Sequence, residues 1–387
     1  VDLPRLSWDA VCMRRLARHA VLVPSPMSPA GIVAGICGAH AQVMSAAELA
    51  IGLRGVETSR GDVRQSLWRD RSLVKTFGPR GTVHLLPAED LATWCGALGA
   101  RPTASGLPAS ARLDTDQLDA VLAAIEVALT DAELTADELD AAVVSACGRW
   151  AGDLVVPAFS GHWPRWRLAL GRAANVGVLC FGPARGRRGT YTSPRRWVPG
   201  FEPADPEESL SWLVHRYLHA YGPATSAQFA QWLGAPRRWA EQTVAACSSR
   251  LEAVELDGQV AWVNAGDTEW GTASDADAVR GVRLLPYFDP YIVGSHPRAR
   301  LFPPPMADRA LSGGQAGTVP VLLVDGMVAG VWHQRRQGRG LHVTVEPLTG
   351  WDRARMTELE AEVDRVGRIL DAVPELNIGA ITVGRHA

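Results

Sequence analysis

The sequence predicts an α+β protein built from three tandem winged-helix units and a C-terminal β-rich domain. Two observations carry this prediction. Amphipathic helices followed by two short β-rich runs occur three times along the chain, and helices followed by a two-stranded ribbon is the winged-helix order. Beyond Val282 the pattern changes to short, regularly spaced strands closed by one amphipathic helix, which suits a small barrel or a sandwich. At 387 residues the chain is too long for one ordinary domain. The expected units are 1–112, 113–204, 205–278 and 279–387.

In the first unit, apolar residues recur at helical spacing over 8–22, with Asp9 near the start and Pro24 and Pro26 at the end. Ser28 before Pro29 reads as an N-cap with proline at the first helical position, and another helix covers 45–53. Two strands, 73–77 and 82–86, flank Gly78-Pro79-Arg80-Gly81 as a hairpin. The second unit has helices over 115–129 and 135–147, the latter opened by a Thr135/Glu138 capping box, then a helix around 164–174 and a strand over 176–181. That strand leads into a long basic wing carrying Arg185, Arg187, Arg188, Arg195 and Arg196. In the third unit, helices over 209–221 and 226–233 and one running from the break at Gly234-Ala235-Pro236 to Arg250 precede strands 251–256 and 259–264. Asp257-Gly258 between those strands is a strong hairpin turn. The last domain has strands over 284–288, 319–324, 327–333 and 341–346 and a closing helix over 353–370.

The 39 basic and 41 acidic side chains leave a net charge of -2, so any nucleic-acid surface is local. Lys75 is the only lysine, and the arginine excess suits bidentate phosphate or carboxylate contacts as well as a GC-rich genome. Six scattered cysteines without a CxxC pair exclude a zinc ribbon and a disulfide framework and read as buried thiols. No signal-like or membrane-length apolar segment is present, and the expectation is a cytoplasmic protein. Phosphate-cradling glycine loops and a GxSxG elbow are missing. The pair His215 and His219 has helical i,i+4 spacing but no third ligand nearby. The expectation is an absence of metal and of cofactor. Lys75 lies in a strand with no motif around it, so a covalent lysine intermediate has no visible nucleophile.

Gly38-Ala39-His40-Ala41-Gln42 sets two polar side chains one residue apart in an apolar stretch. By themselves these residues fit a hydrogen-bonded helix junction or a shared cleft. Four more segments follow: Arg80-Gly81-Thr82-Val83-His84-Leu85, Tyr221-Gly222-Pro223-Ala224-Thr225, Leu285-Pro286-Tyr287-Phe288-Asp289-Pro290, and Val324-Asp325-Gly326 with Gly330-Val331-Trp332. In this order they resemble the winged-helix DNA glycosylases called AlkZ and YcaQ, over nearly the whole chain.

The resemblance implies a C-shaped protein of tandem winged helices with a C-terminal β-barrel. It also implies a monofunctional enzyme that hydrolyses the N-glycosidic bond of N7-alkylated purines, often bulky or crosslinked, in repair or in self-resistance. The implied partner is double-stranded DNA carrying alkylpurine lesions, bound by a monomer. The family's Gln-x-Gln or Gln-x-Asp pair falls on His40 and Gln42, so the second position fits the AlkZ-like branch and the first departs from it. A free-imidazole pKa at His40 would make the rate fall below about pH 6.5. DNA contacts are expected from the five wing arginines and from Arg335, Arg336 and Arg339 on a barrel turn. The competing reading is a winged-helix DNA-binding protein or regulator without activity.

Overall fold

The computed structural model describes residues 3–102, 112–158, 161–267, 280–348 and 350–382; the expected boundary at 278/279 lies outside them. An N-terminal strand β1 (Arg5–Leu6) and helix α1 (Trp8–Arg18) open the chain. Helix α1 stops short of the expected residue 22 because Ala20 takes a left-handed backbone, φ 47°. The first unit then runs α2 (Pro29–Gly35), β2 (Ala39–His40), α3 (Met44–Gly52), α4 (Arg60–Trp68), β3 (Leu73–Phe77) and β4 (Val83–Pro87), and α5 (Leu91–Ala100) leads out of it. Ser28 caps α2 through the Gly31 N–H, as its position before Pro29 predicts. Helices α4 and α5 were not expected. A Ser59/Asp62 capping box opens α4, whereas α5 is apolar nearly all round and so leaves no amphipathic signal.

The second unit runs α6 (Thr115–Leu129), β5 (Leu134–Thr135), α7 (Ala136–Cys147), β6 (Leu154–Pro157), β7 (His162–Pro164), α8 (Leu170–Asn175), β8 (Cys180–Arg185), β9 (Arg188–Thr192) and α9 (Pro194–Trp197). The helix expected over 164–174 divides into a 3-10 turn and the short α8, and Gly177, at φ 76°, delays the following strand to Cys180. The third runs α10 (Pro206–Tyr221), α11 (Ser226–Leu233), α12 (Arg237–Ala246), β10 (Leu251–Leu256) and β11 (Gln259–Asn264). Asp257 and Gly258 both have positive φ, the backbone a two-residue hairpin turn needs.

Each unit ends in a hairpin to which an earlier short segment adds. The sheets run β2-β4-β3 and β5-β9-β8, and in the third unit Ala224 bridges Trp262 while β1 lies parallel to β10. The C-terminal domain contains β12 (Val282–Leu285), α13 (Pro290–Gly294), α14 (Pro304–Ala310), β13 (Val321–Val324), β14 (Met327–Gln337), β15 (Gly340–Pro347), α15 (Arg353–Leu370) and β16 (Val373–Ile378). Its five strands pair in the order β12-β13-β14-β15-β16, and among the described residues no ladder joins the two outer strands. The expected barrel is thus an open sheet, with α15 packed against both outer strands. Strand β16 went unforeseen because it is parallel and largely exposed, which blurs the alternation of an edge strand.

The cores interlock. Leu16, Val21 and Leu22 from the N-terminal segment and Leu49 and Leu53 from around α3 lie in the same apolar cluster as the C-terminal sheet. Helix α5 shares another cluster with α10, α11 and α12. These shared cores hold residues distant in sequence around β2.

Candidate active site

Strand β2 owes its position to two left-handed residues, Cys37 (φ 57°) and Gly38 (φ 95°), which turn the chain out of α2. A Cβ at Gly38 would meet Leu86 Cδ2 at 3.1 Å, so the β2–β4 approach favours glycine there on both counts. His40 pairs with His84 across the ladder. Extended backbone points alternate residues the same way. Ala39 and Ala41 accordingly lie in the first unit's core, and His40 leaves from the other side.

The two candidate residues differ in depth. His40 is 7% exposed, its ring stacked on Phe288 at 4.4 Å and 26° and touching His84 edge-on at 5.1 Å. Gln42 is exposed two residues past the end of that strand, and its backbone N–H donates to His40 Nδ1 at 3.5 Å. Beside His40 lies a cavity of about 10 Å³, bounded also by Arg80, His84, Tyr221 and Phe288, with room for about one water.

Burial, reinforced by the charge of Arg80, pushes the His40 pKa down to about 3, so the ring is neutral at physiological pH. Burial also pushes His84 well below the usual imidazole range; its Nδ1 donates to Thr82 O at 2.8 Å. Arg80, at φ 60°, donates to Trp232 O at 2.6 Å, and no ion pair to a carboxylate forms there among the described residues. Register puts Lys75 opposite Leu85, and Leu85 opposite Ala39, whereas Thr76, His84 and His40 form the neighbouring row. Lys75 therefore occupies the other face of the sheet from His40, with its ammonium over the Phe181 ring at 5.2 Å.

A family model described as DNA glycosylase AlkZ-like matches residues 33–369. The chain belongs to the AlkZ-like DNA glycosylases. The interstrand DNA cross-link repair glycosylase of Streptomyces sahachiroi is 30% identical over 380 residues, covering 94% of this chain and 96% of the relative. The solved structure of Streptomyces sahachiroi DNA glycosylase AlkZ matches with a TM-score of 0.78 at 27% identity, over 97% of this chain and all of that one.

The wing arginines of this AlkZ-like glycosylase are less free than their number suggests. Arg185 pairs with Glu138, Arg188 with Asp137 at 3.0 Å, Arg195 with Glu126 at 2.7 Å and with Glu202, and Arg196 with Glu133 at 3.8 Å. Arg187, beside the turn glycine Gly186, has no partner among the described residues. Arg336 donates to Leu370 O and Asp371 O at the end of α15, while Arg335 and Arg339 are exposed. The histidines at 215 and 219 do not converge on a metal: His215 meets Asn264 at 2.8 Å and His219 meets Arg18 at 2.7 Å. Among the described residues no three His, Cys, Asp or Glu side chains form a metal-holding group, and no helix is long and apolar enough to cross a membrane. Sequence reasoning passed over Arg80 and Phe288 as site residues; both lay inside motif segments, and positive φ at each is the structural mark that sets them apart.

Proposed function

We propose that this glycosylase hydrolyses the N-glycosidic bond of N7-alkylated purines in duplex DNA, bulky and crosslinked adducts included, without a covalent enzyme intermediate. The observation that carries the reading is a neutral, buried His40 beside a one-water cavity, two residues before the exposed Gln42. Alkylation at N7 makes the base cationic and a good leaving group, so no enzyme acid is needed at the base. What remains is to place a water and to steady the cationic sugar with oriented dipoles. With Nδ1 accepting the Gln42 N–H, the neutral imidazole has its Nε2–H left as a donor, one of the two functions of a glutamine amide. His40 thus takes over the donor function of the family's first glutamine, and the exposed Gln42 amide would supply the acceptor that holds the water toward the sugar.

The place of Lys75 behind the sheet favours hydrolysis by water over Schiff-base chemistry. The name of the Streptomyces relative favours crosslinked adducts among the substrates. The thrice-repeated order of helices and hairpin supports reading the units 1–112, 113–204 and 205–278 as winged helices around the duplex, followed by the C-terminal domain 279–387, and a chain with three such units can grip DNA as a monomer. In the test, duplexes with and without one defined N7-alkylguanine are incubated with the enzyme and heated in alkali. Strand breaks confined to the lesion, with no protein–DNA adduct trapped by borohydride, are expected. An uncut lesion duplex would overturn the substrate assignment, and a trapped adduct the mechanism.

A further inference from the structure

We infer that Phe288 is a positioning residue of this site: a lid supplied by the C-terminal domain and locked by the buried Arg54–Asp289 pair, which keeps bulk solvent off the His40 ring and holds it in one plane. The inference rests on the reading of His40 as the group that places water.

Phe288 reaches β2 across 248 positions of sequence, and its ring lies nearly parallel to the imidazole at 4.4 Å. It belongs to none of the apolar clusters of the described residues. Its backbone is left-handed, φ 55°, a conformation that for a bulky aromatic costs on the order of 1 kcal/mol and persists only where the surroundings impose it. Here they do so from several sides. The Phe288 N–H donates to Gly317 O at 2.9 Å, and Gly317, at φ 100°, has no room for a Cβ, which would lie 3.2 Å from Phe288 Cα. The next residue, Asp289, takes two hydrogen bonds of 2.8 Å from Arg54, both side chains being 0% exposed, and accepts the Tyr291 N–H at 3.0 Å. Tyr221 Oη donates to Pro290 O and to Ile36 O at 3.3 Å, tying the loop to the segment just before β2.

The groups that share the cavity with His40 are His84 on β4, Arg80 in the β3–β4 turn, Tyr221 on α10 and Cys37 before β2. Arg80 is the only one charged at neutral pH, and it opposes protonation of His40. Stripping the Phe288 face from the ring would let water reach it and return its proton affinity toward that of a free imidazole.

The test compares the parent enzyme with Phe288→Ala, Phe288→Tyr and Phe288→Gly, the last removing the ring while relieving the positive φ should the alanine variant fold poorly. Two quantities are read: the His40 imidazole titration by NMR in the free protein, assigned with His40→Gln, and single-turnover cleavage from pH 5.5 to 8. The parent and Phe288→Tyr should keep His40 neutral throughout and give flat profiles. In the alanine and glycine variants His40 should titrate near pH 6 to 6.5, with cleavage at pH 5.5 up to about tenfold slower than at pH 8. An unshifted titration in both ring-less variants would overturn the lid, whatever cleavage does. A shifted titration in a protein that cleaves no lesion at any pH would uphold the lid and overturn the proposed reaction. A rate lowered equally at every pH with no shift would assign Phe288 a structural role only.

Discussion

At the scale of single residues, the pair His40 and Gln42 is where this chain leaves the family pattern. Replacing His40 by alanine should cost on the order of 10² in single-turnover cleavage, the usual value of a positioned hydrogen-bonding or acid–base group, while DNA binding survives. His40→Gln should keep much of the rate, because the amide restores a donor and an acceptor. The fall in rate below about pH 6.5 expected from a free imidazole does not fit the structure, since burial and Arg80 hold the pKa near 3. A flat pH profile from 5 to 8 is predicted for the parent and for His40→Gln alike, and a break near pH 6.5 in the parent would show that His40 is hydrated in solution. The polar pair inside an apolar stretch was legible in the sequence. Its burial was not, because Phe288 and Arg80 arrive from other parts of the chain.

Among the elements, the β8–β9 hairpin with helix α9 behind it, which carries Arg195 and Arg196, is the clearest case in which composition and structure diverge. Five arginines suggested a strong local positive field, yet four are matched by acidic residues close by, Glu133, Asp137 and Glu138 among them. The Arg188–Asp137 pair is 70% and 71% exposed and weakly held, and Arg187 lies beside the turn. If the hairpin grips DNA, Arg187→Gln should flatten the salt dependence of binding by a slope of about 1, and Arg185→Gln or Arg195→Gln by clearly less. Titrating binding between low and moderate salt measures this; equal slopes for all three variants and the parent would remove the hairpin from the interface. The β10–β11 hairpin is engaged elsewhere, since Asp257 at its turn accepts from Trp8 Nε1 and from Arg300. Arg336 is likewise spent on the carbonyls that end α15, where a cation offsets the negative helix terminus.

At the scale of the whole molecule, four histidines, at 19, 40, 84 and 296, are 0%, 7%, 4% and 7% exposed, and burial lowers the pKa of each. Their folded pKa values lie below the unfolded one, so below about pH 6.5 the unfolded chain takes up protons that the folded chain refuses. Stability is therefore complete above that pH and falls as the medium becomes more acid, for His40 until about pH 3. By pH 5 each such histidine costs about 2 kcal/mol, a large part of a net stability of about 5–15 kcal/mol. Urea midpoints should drop markedly between pH 7 and pH 5, and less in His40→Gln by that residue's share; an equal drop would mean that His40 is not desolvated.

The sequence by itself determined the hairpins and all helices but a few such as α4 and α5, because periodicity, caps and turns such as Ser28-Pro29, Thr135/Glu138 and Asp257-Gly258 act over a few residues. It also carried the ordered motifs that mark the family. Tertiary structure alone decided that the C-terminal sheet stays open under α15, that most wing arginines are matched, and that Lys75 and His40 occupy opposite faces of one small sheet. It alone placed Phe288 on His40 through the Arg54–Asp289 pair, whose members stand 235 residues apart. Burial and charge are sums over neighbours from the whole chain, and no window of sequence contains those neighbours.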